Sequence, residues 1–141
     1  MCTVLVIDDD QSMLSLSGEI LQSCGYKVRT ARFGKEALDL LSGLEIPKLI
    51  LLDFRLKDMN GYEFMEHFQN MFPELFTKIP VIFHSGMDHL PLGKAKGFLR
   101  KASGIDEFLI TIGKHTLCST IKSTSFSYKH YKQTLQSRQP E

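Results

Sequence analysis

Short apolar runs of strand length recur along this chain, reading "TVLVI" (3–7), "YKVRTA" (26–31), "KLILLD" (48–53), "PVIFHS" (80–85) and "GFLR" (97–100). The first is apolar at every position, which implies burial on both faces, as in a parallel sheet. Pro80 is confined to the start of its run, where a strand tolerates it. Helical patterns lie between the runs. Met13, Leu16, Ile20 and Cys24 recur at helical spacing, with Leu14 and Leu21 widening the stripe and Gly25 following as a terminator. "GKEALDLLSG" (34–43) turns Ala37, Leu38 and Leu41 inward, and "NGYEFMEHFQNMF" (60–72) places Tyr62, Met65 and Phe68 or Gln69 on successive turns. Ser103, with Asp106 or Glu107 after it, opens a last helix running to about Leu117. Strands alternating with helices imply right-handed crossovers, hence a parallel sheet covered on both faces.

One crossover breaks the pattern. Only "GMDHLPLGKAK" (86–96) separates the fourth and fifth strands, and it contains Gly86, Pro91 and Gly93. A parallel crossover needs roughly a dozen residues or more, so the fourth helix is expected to be short or absent.

The chain is sized for one domain whose core needs no staple or metal. Its apolar runs are too short to span a bilayer, and no basic segment with a cleavage site precedes Cys2, so a cytoplasmic location is expected. Cys2, Cys24 and Cys118 are scattered, odd in number and match no zinc or redox spacing, which reads as reduced thiols. Net charge is +1, but Lys122, Lys129, Lys132 and Arg138 stand against Glu141 alone after Ser119, so residues 1–118 are mildly acidic. That balance gives no nucleic-acid footprint. The expected division is a folded unit over 1–118 and a basic tail over 119–141. The tail either extends the last helix around Phe126, Tyr128 and Tyr131 or is partly disordered, and leaves no room for an output domain of normal size.

The chemistry gathers where strands end. In an open parallel sheet, ligands bind beyond the carboxyl ends of the strands, where strand order reverses. Asp8 and Asp9 end the first strand and Asp53 ends the third. Brought together, three carboxylates repel one another unless they take up protons or share a cation. Mg²⁺ suits such a site, because it takes oxygen ligands from one or two carboxylates, waters and a phosphate. Ser85 ends the fourth strand with a hydroxyl, Lys101 follows the fifth with an ammonium, and Gly86 leaves space beside Ser85. A carboxylate can attack phosphorus while a metal and a lysine neutralise the transferring oxygens. Asp10 fits the N-terminal turn of the next helix, where an anion meets the dipole favourably. His84 reads as a packed or hydrogen-bonded rim histidine.

"VLVIDDD", "LILLDFRLKDMNGYEF", "VIFHSG" and "GFLRK", in this order and spacing, resemble the receiver domain of bacterial two-component response regulators over roughly residues 3–118. The resemblance implies a flavodoxin-like (CheY-like), doubly wound α/β fold with a five-stranded parallel sheet in the order 2-1-3-4-5. It makes Asp53 the phosphoacceptor, and Asp8, Asp9, Asp53 and the backbone carbonyl of Arg55 the Mg²⁺ ligands. Ser85, Gly86 and Lys101 would bind the phosphoryl group, Phe98 would be an aromatic switch or simple core, and Arg55 and Met87 would tune hydrolysis. It implies a sensor histidine kinase or histidine phosphotransfer protein as donor and an unknown downstream protein as target. The charge balance and the short apolar runs give the expectation of no direct contact with nucleic acid or membrane, and leave a homodimer open.

Three departures stand out. Ala102 follows Lys101 where the family usually has proline, so a trans peptide bond and a displaced lysine are expected. The short 86–96 stretch puts the usual signalling face in question, and Lys57 replaces a common proline. Two other readings compete with a stand-alone phosphorylated receiver. One is a degenerate receiver acting as a constitutive scaffold or phosphate sink. The other is an aspartyl-phosphate phosphohydrolase, opposed by Arg55 standing where such enzymes carry a second aspartate.

Overall fold

The computed structural model describes residues 2–43 and 45–118; the tail discussed above lies outside them. The elements run β1 (Thr3–Ile7), α1 (Gln11–Ser23), β2 (Lys27–Ala31), α2 (Gly34–Leu41), β3 (Leu49–Asp53), α3 (Gly61–Met71), α4 (Pro73–Lys78), β4 (Val81–Ser85), β5 (Gly97–Arg100) and α5 (Ile105–Thr116). All strand pairs are parallel, in the order β2-β1-β3-β4-β5. The sheet therefore reverses direction of growth between β1 and β3, as expected of a doubly wound fold.

Period-two alternation divides each central strand between two cores. Val4, Val6, Leu49, Leu51, Ile82 and Leu99 face one side, where Leu14 and Leu21 of α1 and Phe108, Leu109 and Ile112 of α5 cover them. Leu5, Ile7, Ile50, Leu52 and Phe83 face the other, against Leu38 of α2 and Phe64, Met65 and Phe68 of α3. Burying each such side chain contributes about 1.5–3 kcal/mol.

Local signals set the helix starts. Asp10 caps α1 by accepting from Ser12 and Met13 N–H, and Asn60 and Glu63 form a reciprocal capping box on α3. Gly25 takes a φ of 99°, the left-handed turn that ends α1 and feeds β2. The expected cap at α5 does not form: Gly104 is its N-cap, with no side-chain hydrogen bond, and the Ser103 hydroxyl is buried without a partner.

The inward stripes are rotated from expectation. In α1 the buried face is Leu14, Ser17, Gly18, Ile20 and Leu21, and Leu16 is 46% exposed. In α3 it is Gly61, Phe64, Met65 and Phe68, and Tyr62 is 40% exposed. In α3 a small residue decides this, since the helix start approaches Phe54 and Phe83 closely only where bulk is missing. A Cβ on Gly61 would come within 2.6 Å of the Phe54 ring.

Residues 86–96 form no helix, as expected. The helix α4, not anticipated from the sequence, lies instead before β4, with Pro73 in its first turn and Glu74 near its positive end. Over β4 and β5 the chain runs as a strap, held by the Tyr62 hydroxyl donating to the Pro91 carbonyl at 2.6 Å and by a Lys94–Gln69 contact.

The cysteines depart from the expected reduced state. Cys2 and Cys118 are joined in a disulfide with 6.2 Å between their Cα atoms, and Cys24 is buried in the same apolar cluster. A separation of 116 residues hid the pairing. The first residue before β1 and the last turn of α5 meet because α5 runs antiparallel to the strands. No helix among the described residues is long and apolar enough to cross a membrane.

Candidate functional site

The carboxyl end of the sheet brings Asp8, Asp9, Asp53, Ser85 and Lys101 to one rim. Ile7 pairs with Leu52 and Asp53 with His84, so Asp8, Asp53 and His84 stand in a row on adjacent strands. Carboxylate oxygens of Asp8, Asp9 and Asp53 all lie within 4.8 Å of one another. Asp8 is 2% and Asp53 7% exposed, while Asp9 is half-buried.

Backbone groups fix the acids in place. The Asp10 N–H donates to Asp8 Oδ1 at 3.0 Å and the Arg55 N–H to Asp53 Oδ1 at 3.4 Å. Lys101 Nζ lies 2.9 Å from Asp8 Oδ2 and 3.4 Å from Asp53 Oδ2. This one ammonium does not balance the cluster. Burial, and then the charge of Asp8, push the Asp53 carboxyl up to about 6, against the pull of Lys101. Lys101 is held above its ordinary value: burial works against its charge, and the two acids outweigh burial.

Lys101 partly corrects the expectation. No peptide bond among the described residues is cis, so the Lys101–Ala102 bond is trans, yet the lysine is not displaced from the acids. The Lys101 N–H donates to the Ser85 carbonyl at 2.7 Å, which carries the ladder one residue past β5. From there the four-carbon stem reaches the acids without help from a cis bond.

The other predicted residues surround this core. The Ser85 hydroxyl accepts from the Met87 N–H at 3.2 Å, and a Cβ on Gly86 would meet no atom within 4 Å, so the space beside Ser85 is open. Phe98 is half-buried and packs on the α2–α3 side of the sheet. Arg55 and Met87 are exposed at the rim.

Three contacts were not anticipated. The Arg32 guanidinium donates to the Asp9 carbonyl at 3.2 Å. Asp58 accepts from the Gly34 and Lys35 N–H groups at 2.9 and 3.0 Å, supplying the cap that Phe33 cannot give α2. The only sequence signal for it was a helix start with no local acceptor. His84 is packed, as expected, 5% exposed with its ring 5.9 Å from that of Phe108, and burial lowers its pKa to about 4, so it is neutral.

The response regulator receiver domain family matches residues 4–112. The chain belongs to that family. Among solved structures, chemotaxis protein CheY4 of Vibrio cholerae is 26% identical with a TM-score of 0.73, covering 82% of this chain and 98% of CheY4. Response regulator TrrA of Thermotoga maritima, solved in complex with Mg²⁺–BeF, is 27% identical with a TM-score of 0.69, covering 81% of this chain and 98% of TrrA. Among curated relatives, a Vibrio cholerae protein named probable cyclic di-GMP phosphodiesterase is 35% identical over 97 residues, 69% of this chain. The match spans 21% of that protein and 12% and 15% of the next two relatives. The receiver is thus a small part of those longer proteins. As a family member, the chain is a phosphoacceptor signalling domain of the two-component type.

Proposed function

We propose that this receiver accepts a phosphoryl group on Asp53 from a phosphohistidine and signals through a phosphorylation-dependent protein contact or onward relay. The observation that carries the reading is the excess of negative charge at the rim: three carboxylates within 4.8 Å against one ammonium, with Asp53 pushed up to about 6. A site built this way gains stability from added positive charge.

The donor set fits Mg²⁺, being hard oxygens on rigid strand ends beside open space. Asp8, Asp9, Asp53 and the Arg55 carbonyl would hold the ion, which would offset the charge of the incoming phosphoryl oxygens. Within the chain, an Asp53 carboxylate oxygen is the nucleophile: it forms the new bond to phosphorus as the bond to the donor imidazole nitrogen breaks. Lys101 remains paired with the acids and is placed to meet a phosphoryl oxygen. The Ser85 hydroxyl turns from the Met87 N–H toward the same group, and Phe98, on the α2–α3 side, moves with it. Arg55 and Met87, exposed at the rim, set how water reaches the acyl phosphate. Hydrolysis then returns the carboxylate, so the protein turns over only its own modification and is not an enzyme for an external substrate.

Residues 1–118 form the signalling unit and 119–141 a separate tail; the donor is a sensor kinase or histidine phosphotransfer protein, and the compartment is the cytoplasm. The strap at 86–96 favours a signalling face centred away from a crossover helix, whether in contact with a partner or a second copy. The test is intact mass after incubation with Mg²⁺ and acetyl phosphate. A gain of one phosphoryl mass, absent in Asp53→Ala and without Mg²⁺, is expected. Unmodified protein, or modification that survives Asp53→Ala, overturns the reading. Partner binding unaffected by Asp53→Ala would instead support a constitutive scaffold.

A further inference from the structure

At the opposite end of the sheet, we propose that Cys2 and Cys118 form a reversible dithiol–disulfide site. A dithiol reductant operates it, and it clasps the last turn of α5 to the start of β1. This inference is independent of chemistry at Asp53. It rests on three features of the segments around Cys2 and Cys118.

The first is placement. Cys2 is 3% exposed and lies directly before β1, whereas Cys118 is half-buried two residues past α5, with 6.2 Å between the Cα atoms. Cys2 is enclosed in the core and Cys118 only partly so, which makes Cys118 Sγ the more accessible target for an incoming thiolate. The second is backbone conformation. Leu117, the residue linking α5 to Cys118, has a φ of 50° and is the one non-glycine residue with positive φ among the described residues. A leucine is disfavoured there, and this one is 85% exposed, so its own packing does not repay the conformation. The left-handed turn instead points the chain back toward Cys2. The third is what else holds the last turn: a buried hydrogen bond of 3.2 Å between the Tyr26 and Thr116 hydroxyls. With the sulfurs separated, that bond and the 3.4 Å bond from the Leu117 N–H to the Gly113 carbonyl are what still anchor the turn.

The chemistry balances by exchange. A thiolate of the reductant attacks Cys118 Sγ, forms a mixed disulfide and breaks the bond to Cys2 Sγ, which departs as a thiolate and takes up a proton. The second thiol of the reductant, after losing its proton, attacks the mixed disulfide at its own partner sulfur. It forms the oxidised cyclic disulfide and releases Cys118 as a thiolate. Two electrons pass from reductant to protein. Oxidation uses a small-molecule disulfide such as oxidised glutathione. The Cys118 thiolate attacks it, forming a mixed disulfide and releasing one glutathione thiolate. The Cys2 thiolate then attacks Cys118 Sγ and releases the second, and each leaving thiolate takes up a proton.

The test uses the full chain, reduced and then incubated with oxidised glutathione under native conditions. Thiols are counted by alkylation and mass spectrometry before and after native dithiothreitol. The expected result is a Cys2–Cys118 linkage in the wild type and in Cys24→Ser, opened by dithiothreitol without unfolding. Opening lowers the thermal midpoint by roughly 5–15 °C, the scale of closing so long a loop. It also speeds hydrogen exchange at Thr116–Cys118 by at least about tenfold. Cys118→Ser shows neither response to dithiothreitol. The proposal is overturned if glutathione disulfide leaves the two thiols unlinked. It is equally overturned if the bond resists native dithiothreitol and opens only on denaturation, which is a permanent staple. It also fails if opening leaves both midpoint and exchange unchanged.

Discussion

The two ends of this sheet are built on opposite principles. At the carboxyl end, Asp8, Asp9 and Asp53 crowd together and one ammonium answers them. At the amino end, Thr3 and Lys27 donate to Glu45, Arg29 lies 3.5 Å from it, Tyr26 meets Thr116, and Cys2 is bonded to Cys118. One end holds an unmet demand for positive charge, and the other has its polar groups paired. A site that is to bind and release a charged group must be poised away from its own electrostatic minimum. The paired end offsets that cost by holding the strands and last helix in place.

The largest expected effect comes from removing the poise. Asp53→Asn is expected to abolish phosphoryl uptake completely. It should also raise stability at pH 7 by about 1–3 kcal/mol, because the amide does not carry the charge that burial and Asp8 disfavour. Denaturant unfolding checks the gain. A variant less stable than wild type at pH 7 would mean that the acids are satisfied and the contrast between the ends is false. Lys101→Met acts in the opposite direction. It strips the acids of their cation and is expected to cost about 2–3 kcal/mol at pH 7, below the range for fully buried pairs because the lysine side chain is 22% exposed. Acidification to pH 5 should recover part of that loss as Asp53 takes up a proton.

Next in size are two pH dependences of opposite sign at neighbouring positions. His84 is lowered from 6.5 to about 4. Between those values the unfolded chain binds the extra proton, so its contribution to stability is present above pH 6.5 and is lost as pH falls toward 4. Asp53 is raised from 3.8 to about 6. Here the folded chain binds the extra proton, so its contribution is present below pH 3.8 and is lost as pH rises through 6. Each amounts to about 2 kcal/mol between pH 6.5 and 4.5, and in the wild type they largely cancel. His84→Phe is expected to gain stability on acidification across that window and Asp53→Asn to lose it. Parallel curves for the two variants would show that neither group is held as described.

The same contrast explains what was legible in the sequence. The strand-end acids, Ser85 and Lys101 could be placed because a parallel sheet turns position in a strand into position at a rim. The missing crossover helix followed from the length of the 86–96 stretch and from Pro91 and Gly93, whereas the sheet order came only from the family resemblance. The faces of α1 and α3 were misread because hydrophobicity alone does not show where a helix must come close. Gly61 decided that in α3, and glycine carries no hydrophobic signal. The short helix α4 was missed because six residues leave almost no periodicity to detect. The disulfide was hidden for a related reason: the spacing of Cys2 and Cys118 along the chain says nothing about an encounter made by the folded ends.

The smallest effect belongs to the amino end and tests whether its pairing is as complete as its geometry suggests. Glu45 receives Lys27 Nζ at 3.0 Å and lies 3.5 Å from an Arg29 nitrogen, but these side chains are substantially exposed. Water and salt therefore screen the ion pairs, and exposed pairs of this kind contribute little. The Thr3 hydroxyl is different, because Thr3 is buried and its 2.9 Å bond to Glu45 removes a polar group from solvent. Glu45→Gln keeps an acceptor for Thr3 while discarding the charge. It is expected to move the thermal midpoint only slightly, and high salt should erase the difference. Glu45→Ala removes the acceptor as well and should leave a deficit that salt does not erase. If both variants respond to salt alike, the Thr3 bond contributes nothing and the amino end is held by packing, the Tyr26–Thr116 bond and the disulfide.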